Sequence, residues 1–179
     1  MKSVKRICGV MMGLGLVIGL AVSASAQDVT TDYDHAADFS KYKTFAVQVK
    51  TTWGTPFAET RALDEVTKTL IAKGWAQAAD PAKADAQVMI HGATQTKHDV
   101  NTFYSGGGWR FGGGMANTSV TEFKVGSMTV DIFDAKTKSL IWRGTGSDEL
   151  SDKADKNQKK IVNATEKMFK NFPPTPGKS

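Results

Sequence analysis

The pattern of apolar residues along the chain predicts an α+β fold: a two-layer domain with a mainly antiparallel sheet and two helices packed on one face. Two segments carry helical periodicity, Thr55–Lys73 and Asp152–Asn171. The segments between them alternate at period two, and the strongest strand pair, 118–133 with 138–149, has turn residues between its arms. No internal repeat and no domain linker interrupts this order, so residues 27–172 are expected to form a single domain.

The first residues bear on location. Lys2, Lys5 and Arg6 precede an apolar run from Ile7 to Val22, which ends in Ala24-Ser25-Ala26. That run is shorter than the ~20 residues needed to cross a bilayer, and a basic flank, a short apolar core and small residues at the end mark a secretory signal peptide. Residues 1–26 are therefore expected to be removed, with cleavage before Gln27. A lipid anchor needs a cysteine directly after the apolar run, and the sole cysteine, Cys8, stands at its start. The expectation is a released periplasmic or secreted protein, with no membrane-spanning segment after cleavage. Its 153 residues suffice to bury a core without disulfides. The formal charge of +5 is partly borrowed from the leader: without it, 20 Lys and Arg face 18 Asp and Glu. A nucleic-acid partner would call for a concentrated basic face, which this balance does not supply.

Each element has a local reason. Thr44-Phe45-Ala46-Val47-Gln48-Val49-Lys50 alternates as a strand with one buried face, and a weaker strand is expected through Val29 to Tyr33. Thr55 can cap the first helix, Pro56 suits its first position and Glu59 its first turn. Leu63, Val66 and Leu70 form its apolar stripe, widened by Ala62 and Ile71. Gly74 fits the left-handed stop and Trp75 its apolar partner. Residues 80–84 read as a connector. A strand follows from Asp85, with Ala86, Val88, Ile90 and Gly92 on one parity, running towards His98. In the next strand Phe123 and Val125 lie on one parity and Met128, Val130 and Ile132 on the other, which predicts a bulge or bend at Gly126-Ser127. Asp134-Ala135-Lys136-Thr137 turns the chain into Leu140-Ile141-Trp142. Ile161, Thr165, Met168 and Phe172 line the last helix, supported by Ala164 and Phe169. Pro173-Pro174 ends it, leaving residues 173–179 as a flexible tail.

Motifs for catalysis are missing. His91 and His98 are seven apart on one expected strand and so point to opposite faces, with His35 distant in sequence and no thiol left after cleavage. Asp28, Asp32, Asp34 and Asp38 cluster, but Ala36 and Ala37 occupy the middle and no distal Glu completes a calcium loop. Neither Gly-x-Ser-x-Gly nor a phosphate-binding glycine motif occurs. No enzyme activity and no cofactor are expected.

One stretch stands out. Residues 104–114 contain six glycines, with Tyr104, Trp109 and Phe111 as aromatics and Arg110 between the last two. Glycine-rich backbone costs much entropy to fix, so a mobile loop between strands is expected. Its aromatics could stack on sugar rings, touch a lipid headgroup layer or cover an apolar groove; the bland alternative folds them back onto the domain. Tyr104, Trp109, Arg110 and Phe111 are the candidate contact residues.

Several segments together resemble the bacterial envelope proteins called the domain of unknown function 4136 (DUF4136) family. They are Asp32-Tyr33-Asp34 with Asp38-Phe39-Ser40-Lys41-Tyr42-Lys43-Thr44-Phe45, the run from Gly126 to Ala135, Leu140-Ile141-Trp142-Arg143-Gly144, and Phe169-Lys170-Asn171-Phe172-Pro173-Pro174. The resemblance implies an exported α+β domain, often held at the membrane as a lipoprotein, which the missing anchor cysteine puts in doubt here. It implies no agreed activity and no catalytic residues. Within the hairpin, Trp142 is expected to cover the core, and Arg143, of opposite parity, to be exposed or paired with a carboxylate such as Asp131.

Three functions are compatible with this sequence. The first is a non-catalytic binding or assembly module that contacts an unknown envelope component (protein, glycan or lipid surface) through the glycine-rich loop or a sheet edge. The second is a hydrolase of envelope material, which needs two carboxyl groups in one cleft. The third is a carrier of a small apolar ligand, which needs an enclosed apolar cavity of roughly 300 Å³ or more between helices and sheet.

Overall fold

The computed structural model describes residues 27–53, 55–105 and 115–174. In chain order the elements are β1 (Asp28–Tyr33), β2 (Thr44–Thr51), α1 (Pro56–Ala72), β3 (Ala76–Gln77), β4 (Ala86–Ser105), β5 (Met115–Asp134), β6 (Leu140–Glu149) and α2 (Ala154–Met168). Single 3-10 turns at Phe39–Lys41 and Pro81–Lys83 join them. The strands form one sheet in the order β1-β6-β5-β4-β2-β3.

This is an α+β fold with a mixed sheet. The pairs β1–β6, β6–β5 and β5–β4 are antiparallel, whereas β4–β2 and β2–β3 are parallel. The expected antiparallel character therefore holds for three of the five pairings, from β1 to β4. The β4–β2–β3 side is parallel because α1 carries the chain back along the sheet before β4 is laid beside β2. Asp85 fixes that junction: its carboxylate accepts from the amides of Lys43 and Thr44 and from the Thr44 hydroxyl, at 2.8–3.1 Å.

One parity of the central strands builds the core. Phe45, Val88, Ile90, Val130, Ile132 and Trp142 pack with Ala62, Val66 and Leu70 of α1 and with Ala164 and Met168 of α2. At the C-terminal ends of the helices the core becomes aromatic. Trp142, Phe169 and Phe172 meet with ring centroids 4.7–5.4 Å apart, and Phe39 and Trp75 reach Phe172 at 5.9 and 5.2 Å. Trp142 thus covers the core as its parity requires.

Some local expectations are corrected. Thr55 holds the N-cap position of α1, but its side chain makes no cap bond; its carbonyl accepts from the amides of Ala58 and Glu59. Ile71 is exposed rather than part of the stripe, because α1 buries the narrower row Ala62, Val66, Leu70. Gly74 stops the helix at φ +91°, with the Trp75 amide returning to the Leu70 carbonyl. No bulge occurs at Gly126-Ser127: β5 keeps register there with both neighbours. The apolar parity switches because the helices start only alongside the later part of β5. On the N-terminal side of Met128 the helix-side face lacks their cover, and Phe123 and Val125 are half-buried on the opposite face. The irregularity lies at Ile141, where β6 spends two residues against one step of β5.

Candidate functional site

Both helices start at the end of the domain away from the aromatic cluster, and there the helix-side face of the sheet opens into a cleft. Its volume is about 490 Å³. Trp53, Phe57 and Ala58 form one wall, Leu150, Ile161 and Ala164 the other, with Gly126, Met128 and Gly146 on the floor. Arg61, Lys124, Lys160, Asp148 and Asp152 contribute the charges of the lining.

Glycine makes this geometry. A side-chain carbon at Gly92 would overlap the Trp53 ring, so the indole lies directly on bare backbone. Its Nε1 donates to the Ser127 carbonyl at 2.8 Å, which fixes the ring across β4 and β5. A carbon at Gly126 would fall 2.7 Å from Leu150, and one at Gly146 would fall 3.2 Å from the Ala164 methyl. The walls therefore stand close to the floor. Phe57 is 76% exposed at the lip.

Charge is unevenly distributed. Lys160 Nζ donates to Asp148 at 3.0 Å and also to the Glu149 carbonyl, while the Gln27 amide donates to the Lys160 carbonyl at 2.8 Å. Among the described residues, Arg61 and Lys124 make no ion pair and no side-chain hydrogen bond. Two carboxylates line the cleft; Asp148 is committed to Lys160, and Asp152 is exposed.

The other face of the sheet carries a polar row. Asp131, only 3% exposed, accepts from Arg143 Nε at 2.6 Å and from its terminal nitrogen at 2.7 Å; His91 Nε2 stands 3.8 Å away. The Asp131 carboxylate holds the guanidinium above its ordinary ionisation range. His98 faces Glu122 at 3.2 Å, apart from His91. Among the described residues no group of three or more His, Cys, Asp or Glu is placed to hold a metal ion.

The glycine-rich segment joins β4 to β5. Tyr104 lies in β4 opposite Ala116, while Trp109, Arg110 and Phe111 lie outside the described residues. From Thr96 to Ser105 and from Met115 to Lys124 these strands pair only with each other among the described residues. Ten residues at ~3.3 Å each make a two-stranded arm about 33 Å long. Val100 and Val120 face each other across it, both 59% exposed.

The family model described as domain of unknown function (DUF4136) matches residues 29–174. The chain belongs to the DUF4136 family. Among solved structures the domain is similar to a PDZ domain protein from Parabacteroides distasonis. That match has 16% identity and a TM-score of 0.57, covering 82% of this chain and 35% of the other. It is also similar to a DUF4136 family protein from Bacteroides thetaiotaomicron, at 18% identity and a TM-score of 0.51, covering 82% of this chain and 96% of that one. The chain thus spans about a third of the PDZ domain protein's length. None of the curated proteins matches the sequence. At these identities the likeness is one of fold.

Sequence reasoning named the loop aromatics and missed the cleft. Trp53 and Phe57 were outside the stripe that defined α1, and that was the available signal: large apolar residues at a helix start that the helix's own face does not use.

Proposed function

We propose that this DUF4136 domain is an exported, periplasmic or secreted cell-envelope protein that acts as a non-catalytic binding module. Its ligand site is the cleft between the helix starts. The cleft itself carries this reading: about 490 Å³ of mainly apolar space with an aromatic lip falls within the range of small-ligand sites. It is open at the mouth rather than enclosed, which favours reversible capture of a ligand that keeps one end in water. The charge of Asp148 is balanced by Lys160, which argues against a pair of working acids and so against hydrolysis. Titration with an environment-sensitive apolar dye should give saturable one-site binding. Ala58→Trp, which fills the cleft from its half-buried wall, should abolish it at unchanged Tm. Equal dye binding by the variant would remove the cleft from consideration.

A second reading, an assembly contact, is favoured by the arm. Two unsupported strands with an exposed valine pair are marginal in water and gain by being covered. The aromatic segment 104–114 joins its two strands, and its residues Tyr104, Trp109, Arg110 and Phe111 are the candidates for contact with an envelope protein, glycan or lipid surface.

A further inference from the structure

We propose that the cleft takes an amphiphile with a single acyl chain and an anionic head, carboxylate or phosphate. The chain lies over Gly126 and Gly146 between Trp53, Leu150 and Ile161, and the head pairs with Arg61. This rests on the cleft being a ligand site and names the class of ligand.

The apolar end follows from the lining. The floor offers bare glycine backbone and Met128, and the walls offer an indole, leucine, isoleucine and alanine. A glycan would need several polar partners aimed inward, yet Ser127 already spends its carbonyl on Trp53, and Lys160 is held by Asp148 and Glu149. A flexible chain makes no such demand. Phe57, exposed at the lip, would be covered by the part of the chain that emerges.

The anionic end follows from Arg61. It sits four residues after Phe57 and therefore on the same face of α1, half-buried in the cleft wall. A guanidinium keeps its charge at every accessible pH, and partial burial without a counter-ion is costly. Asp148 is taken by Lys160, Asp152 is exposed, Glu65 on the next turn of α1 is paired with Lys68, and neither it nor Asp64 comes within ion-pair distance of Arg61. A carboxylate or phosphate can accept two parallel hydrogen bonds from the fork, a geometry that no neutral head reproduces. Lys124, also outside any ion pair among the described residues, adds positive charge at the floor's edge.

The purified protein would be titrated calorimetrically with octanoate, decanoate and dodecanoate below their micelle concentrations, with dodecyl phosphate, and with dodecanol as the neutral match. Each two-carbon step should tighten binding by on the order of ten-fold, as burial of two methylenes requires. Dodecanoate and dodecyl phosphate should both bind more tightly than dodecanol. Arg61→Gln should erase that preference without weakening dodecanol, and Arg61→Lys should restore part of it. Equal affinity for dodecanoate and dodecanol would overturn the proposal while leaving an apolar ligand site. No binding of any of the probes would overturn both. Flotation with anionic phosphatidylglycerol vesicles, dependent on Arg61 but without binding of dissolved dodecanoate, would assign the cleft to a bilayer surface and overturn the proposal. So would a dimer by sedimentation that Ala58→Trp dissolves.

Discussion

Arg143 and Asp131 pair across β5 and β6, yet they are not equivalent. The carboxylate is buried and the guanidinium is half in water. Removing the arginine strands a buried charge, whereas Asp131→Asn leaves a cation that solvent can take over. Arg143→Ala should therefore cost about 1–3 kcal/mol in urea denaturation, and Asp131→Asn distinctly less. Tyr42 behaves differently. Burial, reinforced by its hydrogen bond to Asp134 at 2.9 Å, pushes its phenol up to about 12. The fold keeps the neutral form, so this stabilisation is complete below the ordinary tyrosine range. It should be lost as pH rises from about 10 through about 12. Tyr42→Phe should flatten that alkaline decline, measured as Tm against pH. The Arg143 pairing was legible in the sequence because parity and a cross-strand partner fix it. The Tyr42 bond was not, since Asp134 lies 92 residues away.

Elements show where local rules suffice. The stop of α1 was readable from Gly74 and Trp75, and so was the buried row of α2, because both depend on spacing within one segment. The parallel pairing of β2 with β4 and the absence of a bulge at Gly126 depend on which surface covers a strand, and a strand's own residues do not record that. The contact between β4 and the chain before α1 is of this second kind. Trp53 rests on Gly92, and any side chain there must displace the ring. Gly92→Ala should cost about 1–3 kcal/mol and shift Trp emission to the red as the indole leaves its bond to Ser127.

At the scale of the whole molecule, the core and the arm are energetically separate. Apart from the Leu150 amide, which donates to the Lys124 carbonyl at the base, the arm's ten residue pairs form no ladder with a third strand among the described residues. Replacing residues 106–114 by an Asn-Gly turn should therefore leave Tm unchanged. If the arm serves assembly, the same change should abolish pull-down of its envelope partner, and undiminished pull-down would count against that reading. Composition pointed to this segment because glycine and aromatics are conspicuous in a string of letters. The cleft was invisible because it is made of what five separate parts of the chain leave empty.

β1, at the start of the described chain, is held by β6, and Gln27 by the last helix. A polypeptide that emerges amino end first, from a ribosome or a translocation channel, must wait for nearly its full length before that edge can close. Until then its first strand has no partner, and early stretches remain pliable while later ones are still being delivered.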